Sequence, residues 1–230
     1  MLFAGRGRYA LPPLLVAAAF AATTLFGIAI PHVPPLVALN VALFHAVNRL
    51  SCGVTADNPV FWVMWTGMNQ PINNYVVLYA IAAFYVLYFK RHQWRRLLFV
   101  GLVIAGIGFI SNLIIWIWAW GPRPYTQTDA CILYPEWKDI WSQYSSYPSG
   151  HARETAAEVT FITTFWPRFL PIGVLYLLLL CFSRLYIGVH FPLDVAIGAL
   201  LGWAIARIAF LSYDVYAAPL LARLDERRAA

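Results

Sequence analysis

The chain has 230 residues, of which 61% are hydrophobic, 17% aromatic and only 11% charged, with a formal net charge of +6. A soluble domain carries about 25% charged residues, so a water-facing globule is excluded and an integral membrane protein is expected. The positive balance reads as the positive-inside bias of such a protein. A nucleic-acid partner is disfavoured, because the basic residues form no aromatic-interleaved stripe.

A short basic start with Arg6 and Arg8 precedes an uncharged run from Leu11 to Ile30, about 20 residues and enough to cross a bilayer. Small residues around Ala17 to Ala22 would also suit a signal-peptide cleavage site, but the apolar run continues well past them. Pro31, Pro34 and Pro35 end this first span. Val37 to Leu50 mixes Asn40, His45, Asn48 and Arg49 with apolar residues and reads as an interfacial helix. Phe61, Trp62 and Trp65 suit an aromatic belt. The second span is expected over 73–89, followed by the basic cluster Lys90-Arg91-His92-Gln93-Trp94-Arg95-Arg96, and the third over 97–120. Gly121-Pro122-Arg123-Pro124 breaks that helix. A polar and aromatic loop, 125–147, then has to lie in water. The remaining spans are expected at 149–166, 169–189 and 193–211, with Pro167-Arg168 and His190-Phe191-Pro192 as turns and a charged tail from Ser212.

The expected fold is therefore all-α: a single polytopic membrane domain over 1–230, with six transmembrane helices, an outer interfacial helix region and both termini cytoplasmic. In that layout 11 of the 16 Lys and Arg residues share the side of the termini, which makes it the cytoplasmic side. The 125–147 loop then faces outward.

Cys52 and Cys131 both fall outside, where disulfides persist, so a bridge and two free thiols are the open alternatives. Cys181 reads as a small core residue, and the three cysteines match no metal spacing.

Three polar clusters distant in sequence share the outer membrane depth: Arg123-Pro124, Pro148-Ser149-Gly150-His151, and Ser183-Arg184 with His190 and Asp194. Ionisable groups at a membrane edge are costly and are functional candidates. The second cluster starts an apolar helix, where unpaired N–H groups and the positive end of the helix dipole favour an anion. Gly150 admits close approach, Ser149 can cap the helix or bind the anion, and His151 can move a proton.

These residues resemble the motifs of the type-2 phosphatidic acid phosphatase superfamily, which includes bacterial lipid phosphatases. Those motifs are Lys-x6-Arg-Pro, Pro-Ser-Gly-His and Ser-Arg-x5-His-x3-Asp. The second stands complete at 148–151 and the third at Ser183, Arg184, His190 and Asp194, while the first keeps Arg123-Pro124 but has Trp116 at the lysine position. The resemblance implies a membrane phosphatase with catalytic His190, His151 and Asp194. His190 would be the nucleophile and form a phosphohistidine. Asp194 would hold its imidazole, and His151 would protonate the leaving alkoxide and later activate water. Arg123 and Arg184 would clamp phosphate oxygens, with Ser149 and Gly150 completing the cradle. This set requires no metal and no cofactor.

Glu154 and Glu158 follow on the face of His151. Glu154 is read as orienting or charging His151, and Glu158 as meeting Asn112 or a headgroup. Trp116 removes a positive charge, so either two arginines suffice or Lys138 reaches in from the loop. Phosphatidate, phosphatidylglycerol phosphate, an isoprenyl phosphate or diphosphate, and lipid A phosphate are the implied substrates. A lipid phosphotransferase of the same fold and a non-catalytic lipid-phosphate binding protein are the alternatives.

Overall fold

The computed structural model describes residues 7–55, 57–64, 84, 88, 93–118, 121–132 and 146–229, which form helices joined by turns, with no strand among them. The longer helices are α1 (Gly7–Ala29), α2 (Pro34–Asn48), α3 (Trp94–Trp118), α4 (Gly150–Phe165), α5 (Leu170–Tyr186), α6 (Pro192–Ser212) and α7 (Ala218–Ala229). The second expected span lies outside the described residues apart from 84 and 88. So do most of the 125–147 loop, including Lys138, and the side chains of Asn112 and Trp116.

Prolines and glycines set the boundaries as their backbone chemistry requires. Pro34 and Pro192 occupy first helical positions, where the missing N–H costs nothing. At the end of α5, Gly188 takes the left-handed conformation (φ 83°) and reverses the chain.

Among the described residues, four helical stretches are long and apolar enough to cross a membrane: Leu11–His32, Trp94–Ser111, Pro167–Tyr186 and Pro192–Arg228. The chain is thus a multi-pass membrane protein. α4, expected as the fourth span, is not among them: it has 16 residues and carries His151, Arg153, Glu154 and Glu158. It is enclosed by protein. Arg153, Glu158, Phe161 and Phe165 are buried, and the last two pack with Val100 and Ile104 of α3 and Ala206, Ala209 and Phe210 of α6. Neighbouring helices, not apolar composition, allow it to stand there.

Two further expectations change. The charged tail continues α6 through a wider turn at Tyr213–Ala217 into α7. Arg95 Nη1 binds Asp225 Oδ2 at 2.7 Å, tying α7 to the start of α3. The 37 residues of Pro192–Arg228 rise about 55 Å at 1.5 Å per residue, against a hydrocarbon core of about 30 Å, so this stretch is longer than one crossing needs. Secondly, α2 does not turn its asparagines to headgroups. Asn40 and Asn48 are buried, because the 185–193 turn offers them backbone partners.

α4 and α6 make the main helix pair. Gly198 and Gly202, four residues apart, lie against the backbone of Ser149 and Arg153, in the small-xxx-small manner of membrane helices. The register 149 to 198 and 153 to 202 makes the two helices parallel, so both begin at the same face. A Cβ at Gly202 would overlap the Arg153 carbonyl oxygen, which is backbone and cannot swing away. Gly202→Ala is expected to destabilise the bundle by about 1–3 kcal/mol, read as a lower melting temperature in detergent.

Candidate active site

The site is assembled where α4 and α6 begin and α5 ends. Ser149 caps α4, its Oγ accepting from Ala152 N at 3.5 Å, and its own N–H donates to the Asp194 carbonyl at 2.9 Å. That bond ties the two helix starts together. His151 stands on the first turn of α4, half-buried, beside Gly150.

The turn after α5 brings His190 back onto the helix it has just left. Val189 N and His190 N both donate to the Arg184 carbonyl, at 3.2 and 3.3 Å. His190 is only 3% exposed and stands between two charged partners. Its Nδ1 lies 3.6 Å from Asp194 Oδ2, and its Nε2 lies 3.5 Å from Arg123 Nη1. The first distance is long for a hydrogen bond, and such contacts tighten when substrate binds. Asp194 Oδ2 is held from other directions, accepting from Phe191 N at 2.8 Å and from Ser146 Oγ. Arg123 Nη1 also donates to the Val189 carbonyl at 2.9 Å, which fixes the guanidinium beside the imidazole. Arg184 is buried, and its Nε donates to Ser183 Oγ at 3.2 Å.

The electrostatics follow from this packing. Burial lowers the His190 pKa to about 4. The positive charges of Arg123 and Arg184 act the same way, and the contact with Asp194 opposes them. The ring is therefore neutral near pH 7, with Nε2 turned to the arginine side. Tyr147 closes the floor: its hydroxyl donates to the Thr23 carbonyl of α1 at 2.9 Å. Burial, then the charge of Asp194, pushes that phenol up, so it stays a donor.

A family model described as the PAP2 superfamily matches residues 96–216, a range that contains all of these groups except Thr23. The chain belongs to the PAP2 superfamily. Among solved structures, Aquifex aeolicus LpxE is 25% identical with a TM-score of 0.54, covering 74% of this PAP2 chain and 94% of its own. The PAP2-type phosphatidylglycerolphosphate phosphatase of Bacillus subtilis is 23% identical with a TM-score of 0.60, covering 84% and 93%; its likeness is one of fold. An undecaprenyl-diphosphatase of Sulfolobus acidocaldarius is 38% identical over 84 residues, which is 35% of this chain and 38% of that protein's length.

Within this PAP2 protein, the structure brings Arg123, Arg184, His190, Asp194 and the Ser149 backbone into one cluster. Glu154 accepts from Arg153 Nη2 at 2.9 Å, and Glu158 is buried one turn deeper. Sequence reasoning missed Ser146, which donates to Asp194, and the asparagines of α2. Ser146 lies only two residues before the Pro148 motif, so its nearness to the motif was the available signal. It also missed the buried state of Arg153. Cys52 and Cys131 are bridged, which settles their alternatives.

Proposed function

We propose that this PAP2 protein is a lipid phosphate phosphatase that works through a phosphohistidine on His190. The observation that carries the reading is the setting of His190: buried, neutral, its Nδ1 edge toward Asp194 and its Nε2 edge toward Arg123. That is the state a nitrogen nucleophile for phosphorus needs.

In the proposed reaction, Nε2 attacks phosphorus and the bond to the lipid oxygen breaks. His151, as imidazolium, gives its proton to the departing alkoxide. Water then attacks the phosphorus, His151 takes a proton from it, and the P–N bond breaks to release phosphate. Asp194 stabilises the positive charge that grows on His190. Arg123, Arg184, Ser149 and the Gly150 N–H hold the phosphate oxygens, so positioning and charge provide most of the catalysis.

The substrate is a phosphate monoester or diphosphate of a membrane lipid: phosphatidate, phosphatidylglycerol phosphate, an isoprenyl phosphate or diphosphate, or lipid A phosphate. The proposed topology is a single membrane domain of six spans with both termini cytoplasmic and the site on the outer face of the cytoplasmic membrane. The Cys52–Cys131 bridge supports that side, since Cys131 packs on the turn before His190 and disulfides persist outside the cytosol.

The test is phosphate release by the purified full chain in detergent, offered this panel of lipids. Release from at least one member is expected, and none from any member would overturn the reading. Because His190 titrates near 4, the acid limb of kcat/KM is expected near pH 4 rather than near the ordinary histidine value of about 6.5. Below it the ring is protonated and cannot attack. The substrate phosphate, with its own pKa of about 6, has to be corrected for.

A further inference from the structure

We propose that Asn48 is a positioning residue for the nucleophilic turn and that the Cys52–Cys131 disulfide acts through it. The proposal rests on the phosphatase reading for its kinetic arm and on the geometry of α2 for the rest.

α2 presents Asn40, Phe44 and Asn48 at four-residue spacing, which places them on one helical face. All three are buried, and all three meet the 185–193 turn. Asn40 Oδ1 accepts from Leu193 N at 3.0 Å, satisfying an unpaired donor at the start of α6. Phe44 meets Phe191 edge-on, with ring centroids 5.4 Å apart. Asn48 is 1% exposed and lies at the other end. Its Nδ2 donates to the Tyr186 carbonyl at 3.0 Å and to the Cys131 carbonyl at 2.9 Å, with the Leu185 carbonyl at 3.3 Å. Its Oδ1 accepts from Cys131 N at 2.8 Å.

One side chain thus satisfies carbonyls in the last turn of α5 and grips both polar groups of the Cys131 peptide. His190 lies between the points that Asn48 and Asn40 hold. The disulfide joins Cys131 to Cys52, four residues after Asn48, closing a separation of 79 residues. The bridge therefore keeps the Cys131 peptide seated on Asn48. Gly188 completes the contact: a Cβ there would come within 2.8 Å of the Cys131 carbonyl and 3.2 Å of Asn48 Nδ2. Asn48 touches no reacting atom. Its role is to keep the His190 Nε2 edge aimed at the phosphate, and misplacement by about 1 Å costs on the order of 100-fold in rate.

The experiment uses the full chain in detergent: wild type, Asn48→Ala, Asn48→Asp, Cys52→Ser/Cys131→Ser, and the last combined with Asn48→Ala. Hydrogen exchange of the 186–193 amides is read alongside rapid-quench formation of phosphoenzyme. Both Asn48 variants are expected to speed exchange of those amides and to lower the rate constant of phosphoenzyme formation about 10- to 100-fold, with KM nearly unchanged. Asn48→Asp keeps the acceptor toward Cys131 N but loses the donors to the α5 and Cys131 carbonyls, so it separates the donor side of the contact from the acceptor side. The disulfide variant is expected to lose less. Adding it to Asn48→Ala is expected to cost nothing more, since the two act through one contact.

Misfolding lowers the phosphoenzyme amplitude but not its rate constant, which separates damage from positioning. Unchanged exchange in both Asn48 variants, an unchanged rate constant, or fully additive losses would each overturn the proposal. A wild type that releases no phosphate, with exchange still quickened by Asn48→Ala, would overturn the phosphatase reading and leave the positioning of the turn standing.

Discussion

His190→Asn is expected to reduce phosphate release from every lipid substrate by at least about 10⁴-fold, the scale seen when a nucleophile is removed. Asn is smaller than His but keeps a polar head in the buried site between Asp194 and Arg123. What it lacks is a nitrogen able to form and break a bond to phosphorus. Substrate binding depends on Arg123, Arg184 and the helix starts, so affinity for a lipid phosphate is expected to survive. Acid-labile, base-stable label on the protein should be present in quenched wild type and absent from the variant. A variant that still turned over at a tenth of the wild-type rate would remove His190 from the role of nucleophile.

The second large effect is expected at His151. His151→Asn should slow hydrolysis of an alkyl lipid phosphate by about 10²- to 10⁴-fold, the usual contribution of a general acid–base. The loss should depend on the leaving group. With an aryl phosphate, whose phenolate departs without a proton, the first step no longer needs the acid. The second step still needs the base, so phosphoenzyme should accumulate. An equal loss in the rate of phosphoenzyme formation from alkyl and aryl substrates would argue that His151 only binds phosphate.

The chemistry-bearing residues were legible because their identity and spacing are the signal. Pro148 to His151, and Ser183-Arg184 with His190 and Asp194, need no knowledge of packing to be noticed. That Arg123 lies against the Nε2 edge of His190 is a tertiary fact, reached only through the reversal at Gly188. α2 shows a different limit. Asn40 and Asn48 on an otherwise apolar helix suit a headgroup layer and a protein interior equally well, because both offer polar partners. Periodicity finds the face without saying what it faces. The enclosure of α4 was hidden for the converse reason: its ionisable residues are tolerated by neighbours that lie elsewhere in the chain. The α7 helix was hidden because alternating charges in a short segment look like a solvated tail until Arg95 is seen to hold Asp225.

The glycine pair that lets α4 and α6 run parallel has one further consequence. It holds the N-terminus of α4, equivalent to roughly half a positive charge fixed in the main chain, beside the turn that carries His190 and Asp194. This part of the site's potential is carried by the main chain and does not depend on any one charged side chain. Attraction for an anion therefore does not rest on a lysine at position 116. The same background should leave a weak, salt-sensitive vanadate affinity even after both arginines are replaced.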